Sequence, residues 1–227
     1  MKVISFSLWG DNTRYTHGAL QNASLALMVY PDWVCRYYIG KSCPSEVVRM
    51  LREFRNVEIV EMEEDGGSAL GTMWRFAAAS DPEVEVLLSR DCDSRLWFRE
   101  KAAVDEWLAS DKSFHIMRDN HQHTTPILAG MWGVRGDKLK AMRQLMVDYN
   151  GSDTWQVDQE FLAQVVYPIV QEDSVVHDPF FESKPFPYSR DENHFVGQAY
   201  AGTGRVLHLT DVYFQDYMRE SINANIL

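Results

Sequence analysis

Val84-Glu-Val-Leu-Leu-Ser-Arg-Asp-Cys-Asp-Ser-Arg95 is the stretch from which the architecture of this chain can be worked out. Its first half is a short apolar run rich in Val and Leu, which is typical of a buried strand. The run stops at Arg90, and two carboxylates, Asp91 and Asp93, follow two residues apart. If the backbone bends there, both can converge on one cation, and such oxygen ligands suit Mg²⁺ or Mn²⁺. The same triplet is common in solvated loops and helix caps, so the rest of the chain has to decide.

Composition limits the possible functions. With 227 residues the chain can bury a sizeable core, and we expect one domain spanning residues 1–227. A net charge of −11 and a pI of about 5.0 argue against a nucleic-acid partner or a polybasic membrane patch. No apolar run approaches the roughly 18 residues of a transmembrane segment. Three cysteines without a CxxC pair fit a reducing compartment, so we expect a cytoplasmic protein; the alternative is a peripheral position at a membrane through the acceptor.

Strand and helix signals alternate in the first half of the chain. The predicted strands are Met1–Leu8, Trp33–Gly40 and Val57–Met62, and the predicted helices between them are Tyr15–Tyr30 and Pro44–Phe54. This alternation predicts a parallel sheet with right-handed crossovers. The expected fold class is therefore α/β, a Rossmann-like domain with a mixed, mostly parallel central sheet flanked by helices.

The second half continues the alternation less regularly. The predicted helices are Gly71–Ser80, Leu96–Ser110, Gly136–Tyr149, Trp155–Val170 and Val212–Ile222. The predicted strands are Phe114–Met117, Ile127–Val134, Ser174–His177 and Val206–Leu209. The helix Leu96–Ser110 is amphipathic, and we expect Glu100 on its solvent-exposed face. Gly130, inside one of these strands, suggests a close backbone approach to something. The aromatic segment 178–204 has little periodicity, and we interpret it as an ordered lid.

Further residues could join the two carboxylates. His177 ends a short strand, and a neutral imidazole can complete a Mn²⁺ site otherwise made of carboxylates; the alternative is a hydrogen-bonded histidine at a strand end. Lys184, on a loop stiffened by Pro185, could neutralise a phosphate on the same metal. Asp158 opens a helix, where it can serve as a cap or face a reacting group.

Two cations have similar alternatives. Arg75 can reach a pyrophosphate or be a surface residue that snorkels. Arg90 and Arg95 flank the carboxylates and would balance their charge with or without a metal. Other chemistries lack support, since there is no Walker A motif, no G-x-G-x-x-G after the first strand and no G-x-S-x-G elbow.

In the order of these motifs the sequence resembles glycosyltransferases of the GT-A fold. It is most similar to the retaining branch that includes glycogenin and the bacterial lipopolysaccharide galactosyltransferases, and to small algal-virus and bacterial polysaccharide glycosyltransferases. The matching pieces are Ser89-Arg-Asp-Cys-Asp93, the glycine-containing Leu128-Ala-Gly-Met-Trp-Gly133, Asp158-Gln159, and His177 with Lys184-Pro185-Phe186. The chain departs from the family pattern between His177 and Lys184, where the gap is one residue longer and lacks the expected glycine.

The resemblance implies a role for each matching residue. It implies metal ligands at Asp91, Asp93 and His177, and Mn²⁺ or Mg²⁺ as the cofactor. It implies contacts to the donor sugar at Asp158 and Gln159, and we add Asp119 as a further candidate of this kind. The expected donor contacts are Ser7, Trp9, Asp11, Arg75, Arg90, Cys92, Gly130 and Lys184.

The function expected from the resemblance is metal-dependent transfer of a sugar from a nucleotide diphosphate sugar, with UDP preferred, to a glycan or glycolipid hydroxyl. Residues 1–95 would form the nucleotide-binding half, and residues 96–227 the acceptor half with the lid. Retention of configuration is favoured; inversion would need Asp119 or Asp158 as a base. Two alternatives remain open, a sugar nucleotidyltransferase and a carbohydrate-binding domain without catalysis.

Overall fold

Seven strands form one sheet, in the order β3-β2-β1-β4-β6-β5-β7. The computed structural model describes residues 1–65, 69–151, 156–190 and 194–207. The strands are β1 (Lys2–Leu8), β2 (Val34–Ile39), β3 (Val57–Glu61), β4 (Val86–Ser89), β5 (Phe114–Met117), β6 (Trp132–Arg135) and β7 (Ser174–His177). Only β6 runs antiparallel to its neighbours β4 and β5, and the other described pairings are parallel. This arrangement confirms the predicted α/β class and the mixed, mostly parallel sheet.

Helices cover both faces of the sheet. They are α1 (Thr13–Val29), α2 (Ser45–Arg52), a 3-10 helix (Ala69–Ser80), α3 (Phe98–Ala109), α4 (Met142–Asp148) and a composite helix. The composite helix consists of α5 (Val157–Phe161), a π-helical turn (Leu162–Val166) and α6 (Tyr167–Val170). None of the helices that the structure describes has the length and apolar character needed to cross a bilayer.

Alternation along the strands divides the core into two layers. In β1, Val3 packs in the layer that contains the 3-10 helix, whereas Ile4, Phe6 and Leu8 pack in the layer that contains α1. Successive side chains of a strand point to opposite faces of the sheet, so the side chains of a fully apolar strand pack in both core layers. The period of two in the sequence thus determines which helix each strand residue meets.

Several element bounds differ from the prediction. The strand predicted from Ile127 begins only at Trp132, because residues 128–131 turn before they enter the sheet. The helix predicted from Gly136 begins at Met142. Near the C-terminus the predicted strand is reduced, within the described residues, to a single bridge between Tyr200 and Val206. The predicted helix Val212–Ile222 lies outside the described residues.

The structure corrects the predicted exposure of Glu100 on the amphipathic helix. It was expected on the wet face of α3, but it is only 2% exposed. Its carboxylate accepts hydrogen bonds from Arg90 Nε at 2.9 Å and from the Tyr30 hydroxyl at 3.0 Å. A buried carboxylate needs a paired cation, and Arg90, fully buried at the end of β4, is that cation.

Candidate active site at the carboxyl edge of the sheet

The candidate site lies where the chain reverses its direction of travel across the sheet. After β1 the chain moves to β2 on one side, whereas β4 lies on the other side of β1 and leads toward β6. Because β1 and β4 are parallel neighbours, the residues that follow Leu8 and Ser89 meet at the same edge. A crevice at such a switch point is the usual ligand site of open α/β sheets.

Arg75 connects two of the predicted site residues. Its Nη1 donates to the Asp91 carboxylate, and its Nη2 lies 3.2 Å from Oδ2 of Asp158. Arg75 and Asp158 are buried, whereas the Asp91 side chain is 40% exposed. The structure therefore brings Arg75, Asp91 and Asp158 into one cluster, with Asp91 at its open side.

The 3-10 helix holds Arg75 in place through β1. The Ser7 hydroxyl accepts a hydrogen bond from the Arg75 amide at 3.1 Å, and the Ser5 hydroxyl donates to the Arg75 carbonyl at 2.8 Å. Ser7 is one of the expected donor contacts, and in the structure its hydroxyl anchors the helix that carries Arg75.

Asp93 has a cation of its own. The guanidinium of Arg14, in the first turn of α1, donates through Nε to Asp93 Oδ2 at 2.8 Å. Both side chains are about one-tenth exposed. The Asp91–Asp93 pair is thus divided between two arginines, with Arg75 on Asp91 and Arg14 on Asp93.

Backbone packing shapes the loop that carries the two aspartates. The Asn22 amide group donates to the carbonyls of Cys92 and Ser94 at 3.3 and 2.9 Å, and its carbonyl oxygen accepts from the Leu96 amide. A Cβ at Gly18 would overlap the Cys92 carbonyl. The loop therefore rests on α1 through a glycine and one buried asparagine.

Gly130 lies directly against the Asp91 carboxylate. A Cβ at position 130 would overlap the carboxylate oxygens of Asp91. The predicted close approach at this glycine is thus confirmed, although the neighbour in this structure is a side chain of the site.

Charge crowding perturbs the acids of the cluster. Burial raises the pKa of Asp93 above its ordinary value, Arg14 opposes this, and the negative charge of Asp91 adds to it. Burial also raises the pKa of Asp158, with Arg75 opposing and Asp91 again adding. The carboxylates therefore repel one another in spite of the two arginines.

These residues fit a divalent cation that shares its coordination with a phosphate ligand. Among the described residues, no group of three or more His, Cys, Asp or Glu side chains is close enough to hold a metal by itself. Mg²⁺ commonly binds through one or two carboxylates together with substrate phosphates rather than in an all-protein cage. Asp91, which is partly exposed and repels its neighbours, offers such a ligand, and Asp93 lies two residues away.

The structure does not bring His177 to this pair. His177 ends β7, which is three strands from β4, or roughly 14 Å at the usual strand spacing. Its Nδ1 lies 2.8 Å from Nε2 of His115, and its Nε2 lies 3.4 Å from Glu106. His177 is 1% exposed and thus forms a buried polar pair at the strand end.

The side chains of three other predicted residues have their described partners outside the cluster. The Arg90 guanidinium is buried and donates to the Glu100 carboxylate at 2.9 Å. Lys184 Nζ lies 2.6 Å from Glu182, and its side chain is half exposed. Both Asp119 oxygens accept from Arg99, at 2.8 and 2.9 Å, and one also accepts from a backbone amide.

The remaining predicted residues surround the cluster. Trp9 is half-buried and packs edge-on against Trp74, with ring centroids 5.7 Å apart. Asp11 is exposed. The buried Cys92 thiol lies 3.3 Å from the Ser7 carbonyl, and burial raises its pKa. Gln159 follows Asp158, and its side-chain oxygen accepts from the Thr125 hydroxyl at 3.1 Å.

Sequence reasoning missed Arg14, Asn22 and Gly18. One signal was available for Arg14, since a cation in the first turn of a helix is unfavourable next to the macrodipole and needs a reason. Asn22 and Gly18 gave no such signal, because an isolated polar or small residue within a helix is ordinary.

No protein-family model matches the sequence, and comparison with curated proteins finds no match. Solved structures are nevertheless similar in fold. A glycosyltransferase involved in glycosylation of the major capsid of PBCV-1 superposes with a TM-score of 0.53 at 18% identity, covering 79% of this chain and 82% of that one.

Two further solved structures are similar. A mannosyltransferase from Pyrobaculum calidifontis in complex with GDP-mannose and Mn²⁺ has a TM-score of 0.55 at 12% identity, covering 78% of this chain and 55% of its own. The 4-diphosphocytidyl-2C-methyl-D-erythritol synthase of Anaerococcus prevotii has a TM-score of 0.51 at 11% identity, covering 78% and 86%. The fold of this chain is therefore GT-A-like, as the motif order predicted.

Proposed function

We propose that this chain is a glycosyltransferase that moves a sugar from a nucleotide diphosphate sugar, with UDP preferred, to a hydroxyl of a glycan or glycolipid. The observation that carries the proposal is the cluster of Asp91, Asp93 and Asp158 with Arg75 and Arg14 at the switch point of the sheet. The fold places this cluster where α/β sheets bind ligands. A similar solved structure holds GDP-mannose and Mn²⁺, which supports a nucleotide sugar and a metal here.

Asp91 and Asp93 are the residues that would hold Mn²⁺ or Mg²⁺. When bound, such an ion supplies positive charge that offsets the diphosphate as the leaving group departs. Arg75 adds a fixed cation to the same task, since its buried guanidinium is already held by Asp91, Asp158 and the Arg90 carbonyl. A preorganised cation of this kind is typically worth about 3 kcal/mol in the transition state.

Asp158 is the proposed contact to the reacting sugar, with Gln159 beside it. Burial raises the pKa of Asp158, which moves this carboxylate toward the range in which it can accept a proton. Asp119 is less suited to that task, because it is fully buried and both of its oxygens accept from Arg99. Retention of configuration rests on the resemblance in motif order alone.

The nucleoside is proposed to lie over the chain that follows β1, from Ser7 to Asp11. Trp9, which is half-buried and packs edge-on against Trp74, supplies an aromatic ring at that place, and the half of the chain up to residue 95 would bind the nucleotide. Residues 96–227 would receive the acceptor, with 178–204 as the lid. A cytoplasmic location is part of the proposal, supported by three cysteines that are all free and buried.

A donor panel tests the proposal. UDP, GDP and CMP sugars are incubated with the protein in Mn²⁺, in Mg²⁺ and in excess EDTA, and release of the free nucleotide is measured. We expect metal-dependent hydrolysis of a UDP sugar. Hydrolysis that is equal in EDTA would contradict the metal role, and no hydrolysis of any donor sugar, with or without glycan acceptors, would contradict the function.

Asp91→Asn is the matched variant for this panel. Asp91 is partly exposed, so its replacement should remove activity without loss of the fold, whereas Asp93 is buried against Arg14 and its loss would also destabilise the protein. Asp105→Asn serves as the control, because the ion-pair partner of Asp105 among the described residues is Lys101, on the surface of α3. If Asp91→Asn keeps the activity of Asp105→Asn, the central role of the cluster is wrong.

A sugar nucleotidyltransferase is the second candidate, favoured by the similarity to the erythritol synthase. It would release pyrophosphate from a nucleoside triphosphate in the presence of a sugar 1-phosphate. The same preparations can be assayed for pyrophosphate, so the two reactions are distinguished by their products.

A further inference from the structure

A cavity of about 230 Å³ lies beside the candidate active site, on the side of α1. It is bounded by α1, the chain that leads into α3 and the segment 194–200. The lining residues that matter for binding are Arg95, Trp97, Phe195, Gln198 and Tyr200. Pockets for drug-sized ligands usually measure roughly 300–1,000 Å³, so this cavity suits a single ring.

Two polar groups of the cavity lining have no described partner. Nη2 of Arg95 is buried without an acceptor, and Oε1 of Gln198 is buried without a donor. Gln198 is 6% exposed. No carboxylate of the described residues forms an ion pair with Arg95, whose Nη1 donates to the carbonyls of Cys92 and Ser94 at 3.4 and 2.8 Å. Buried polar groups normally find partners, so this side of the cavity has hydrogen-bonding capacity that the described residues leave unused.

Aromatic rings form the rest of the lining. Trp97 is 52% exposed beside the start of α3, and Phe195 and Tyr200 come from the segment opposite. The Arg95 guanidinium stacks over the Tyr200 ring, 5.0 Å from its centroid, and is thereby held in one orientation. The faces of such rings are apolar and suit the C–H face of a sugar.

The cavity is joined to the candidate active site through the backbone. The Tyr200 amide donates to the Asp93 carbonyl at 2.9 Å, and Arg95 follows Asp93 by two residues. A ring bound in the cavity would therefore lie next to the loop that carries the two aspartates.

We propose that this cavity binds an anionic sugar unit of the acceptor. The proposal rests on the proposed function for the identity of the acceptor. A carboxylate or phosphate of the sugar pairs with the Arg95 guanidinium, a hydroxyl meets the side-chain amide of Gln198, and the ring packs against Trp97. A uronate and a sugar phosphate share this chemistry, and the experiment distinguishes them.

Direct binding without donor or metal tests the proposal. Methyl β-D-glucuronide, glucose 6-phosphate and the neutral methyl β-D-glucoside are titrated into the protein, with tryptophan fluorescence and ligand NMR as readouts. We expect saturable binding of at least one anionic probe, at least tenfold tighter than that of the neutral glucoside. The anion that binds better identifies the sugar as a uronate or a phosphate. Equal binding of all three probes, or no saturable binding of either anion, would overturn the proposal.

Variants locate the binding. Arg95→Gln should weaken binding of the anionic probe at least tenfold, and Trp97→Ala should weaken binding of every probe that binds. Trp97 is half exposed, so this variant should fold even if Arg95→Gln does not. Arg55→Gln removes the same charge from an exposed position and should leave binding unchanged. Binding that survives Trp97→Ala unchanged would place the probe elsewhere and overturn the proposal.

Hydrolysis of the donor sugar is measured on the same wild-type preparation. Donor hydrolysis without anionic-sugar binding contradicts only this inference. Binding of an anionic sugar without hydrolysis of any donor sugar contradicts the proposed function, but it still supports an anionic sugar as the ligand of the cavity.

Discussion

Gly130 and Asp91 are in direct contact, and no larger residue can replace the glycine without displacing the carboxylate. The two residues belong to different elements, since Asp91 follows β4 and Gly130 precedes β6. β4 and β6 are paired antiparallel in the sheet, so the contact is set by their hydrogen-bonding register. The position of the more exposed aspartate is therefore coupled to the packing of the sheet edge.

Gly130→Ala should remove donor and metal binding. The added methyl group overlaps the Asp91 carboxylate, so that side chain has to move away from its position beside Arg75. Calorimetry with UDP and Mn²⁺ measures the loss, which we expect to be at least tenfold. Gly136→Ala is the control, since Gly136 has a φ of +67° and no neighbour near its Cβ. It should cost about 1 kcal/mol and leave binding intact; equal binding by the two variants would contradict the role of the contact.

Arg75→Met should destabilise the protein by about 3–5 kcal/mol, because it leaves the buried Asp158 without its cation. Adding Asp158→Asn to this variant should recover part of the loss, since the uncompensated charge is then gone. Urea unfolding of the single and double variants measures both effects. A double variant that is less stable than Arg75→Met would show that Arg75 does not compensate Asp158 in the folded state.

Glu100→Gln should be costly although it changes only charge. Arg90 is 1% exposed and depends on Glu100 as its carboxylate partner, so the variant leaves a buried cation and should lose about 3 kcal/mol. Asp105→Asn on the same helix breaks the exposed pair with Lys101, and we expect a loss of no more than about 0.5 kcal/mol. Thermal or urea unfolding compares the two variants. Losses of similar size would indicate that the interior pair is dispensable.

His123 should make stability fall in mild acid. Burial lowers the pKa of His123 to about 4 from an ordinary value of 6.5, and its neutral Nδ1 accepts the amide of Asp119 at 3.1 Å. Between those two values the unfolded chain binds the proton and the folded chain does not, so stability is lost as pH falls from 6.5 to about 4. The loss approaches about 3 kcal/mol at 1.36 kcal/mol per pKa unit.

Urea unfolding at a series of pH values measures this contribution. His123→Gln should flatten the dependence in that range, and His121→Gln, at an exposed position, should not. A wild-type curve that keeps the same slope after His123→Gln would show that other groups cause it.

Much of the architecture follows from local patterns in the sequence. Alternating apolar runs and helical spacing predict β1 to β3 and the helices between them to within a few residues, because those signals arise from neighbours along the chain. The carboxylate pair is recognisable for a similar reason, because the apolar strand and the Asp91-Cys-Asp93 triplet that ends it are adjacent in the sequence. The same patterns failed at Ile127–Gly130, where a turn precedes β6 and only the sheet register shows where the strand begins.

Side-chain partners within the site could not be predicted in this way. Arg14 and Asp93 are 79 residues apart in sequence. Arg75 lies on the 3-10 helix and reaches Asp158 on α5. Such pairs form because parallel strands bring distant loops to one edge, and packing then selects which cation each carboxylate meets. The same packing turned Glu100 inward to Arg90 and His177 toward His115.

The sequence alone determined an α/β fold with a mostly parallel sheet and an aspartate pair at the end of a buried strand, because each depends on short-range periodicity. Only the tertiary structure decided which arginines hold those aspartates, that Gly130 lies against Asp91, and that a cavity lined by Arg95 opens beside them. Those features depend on side-chain directions and distances across the fold, which no spacing along the chain specifies.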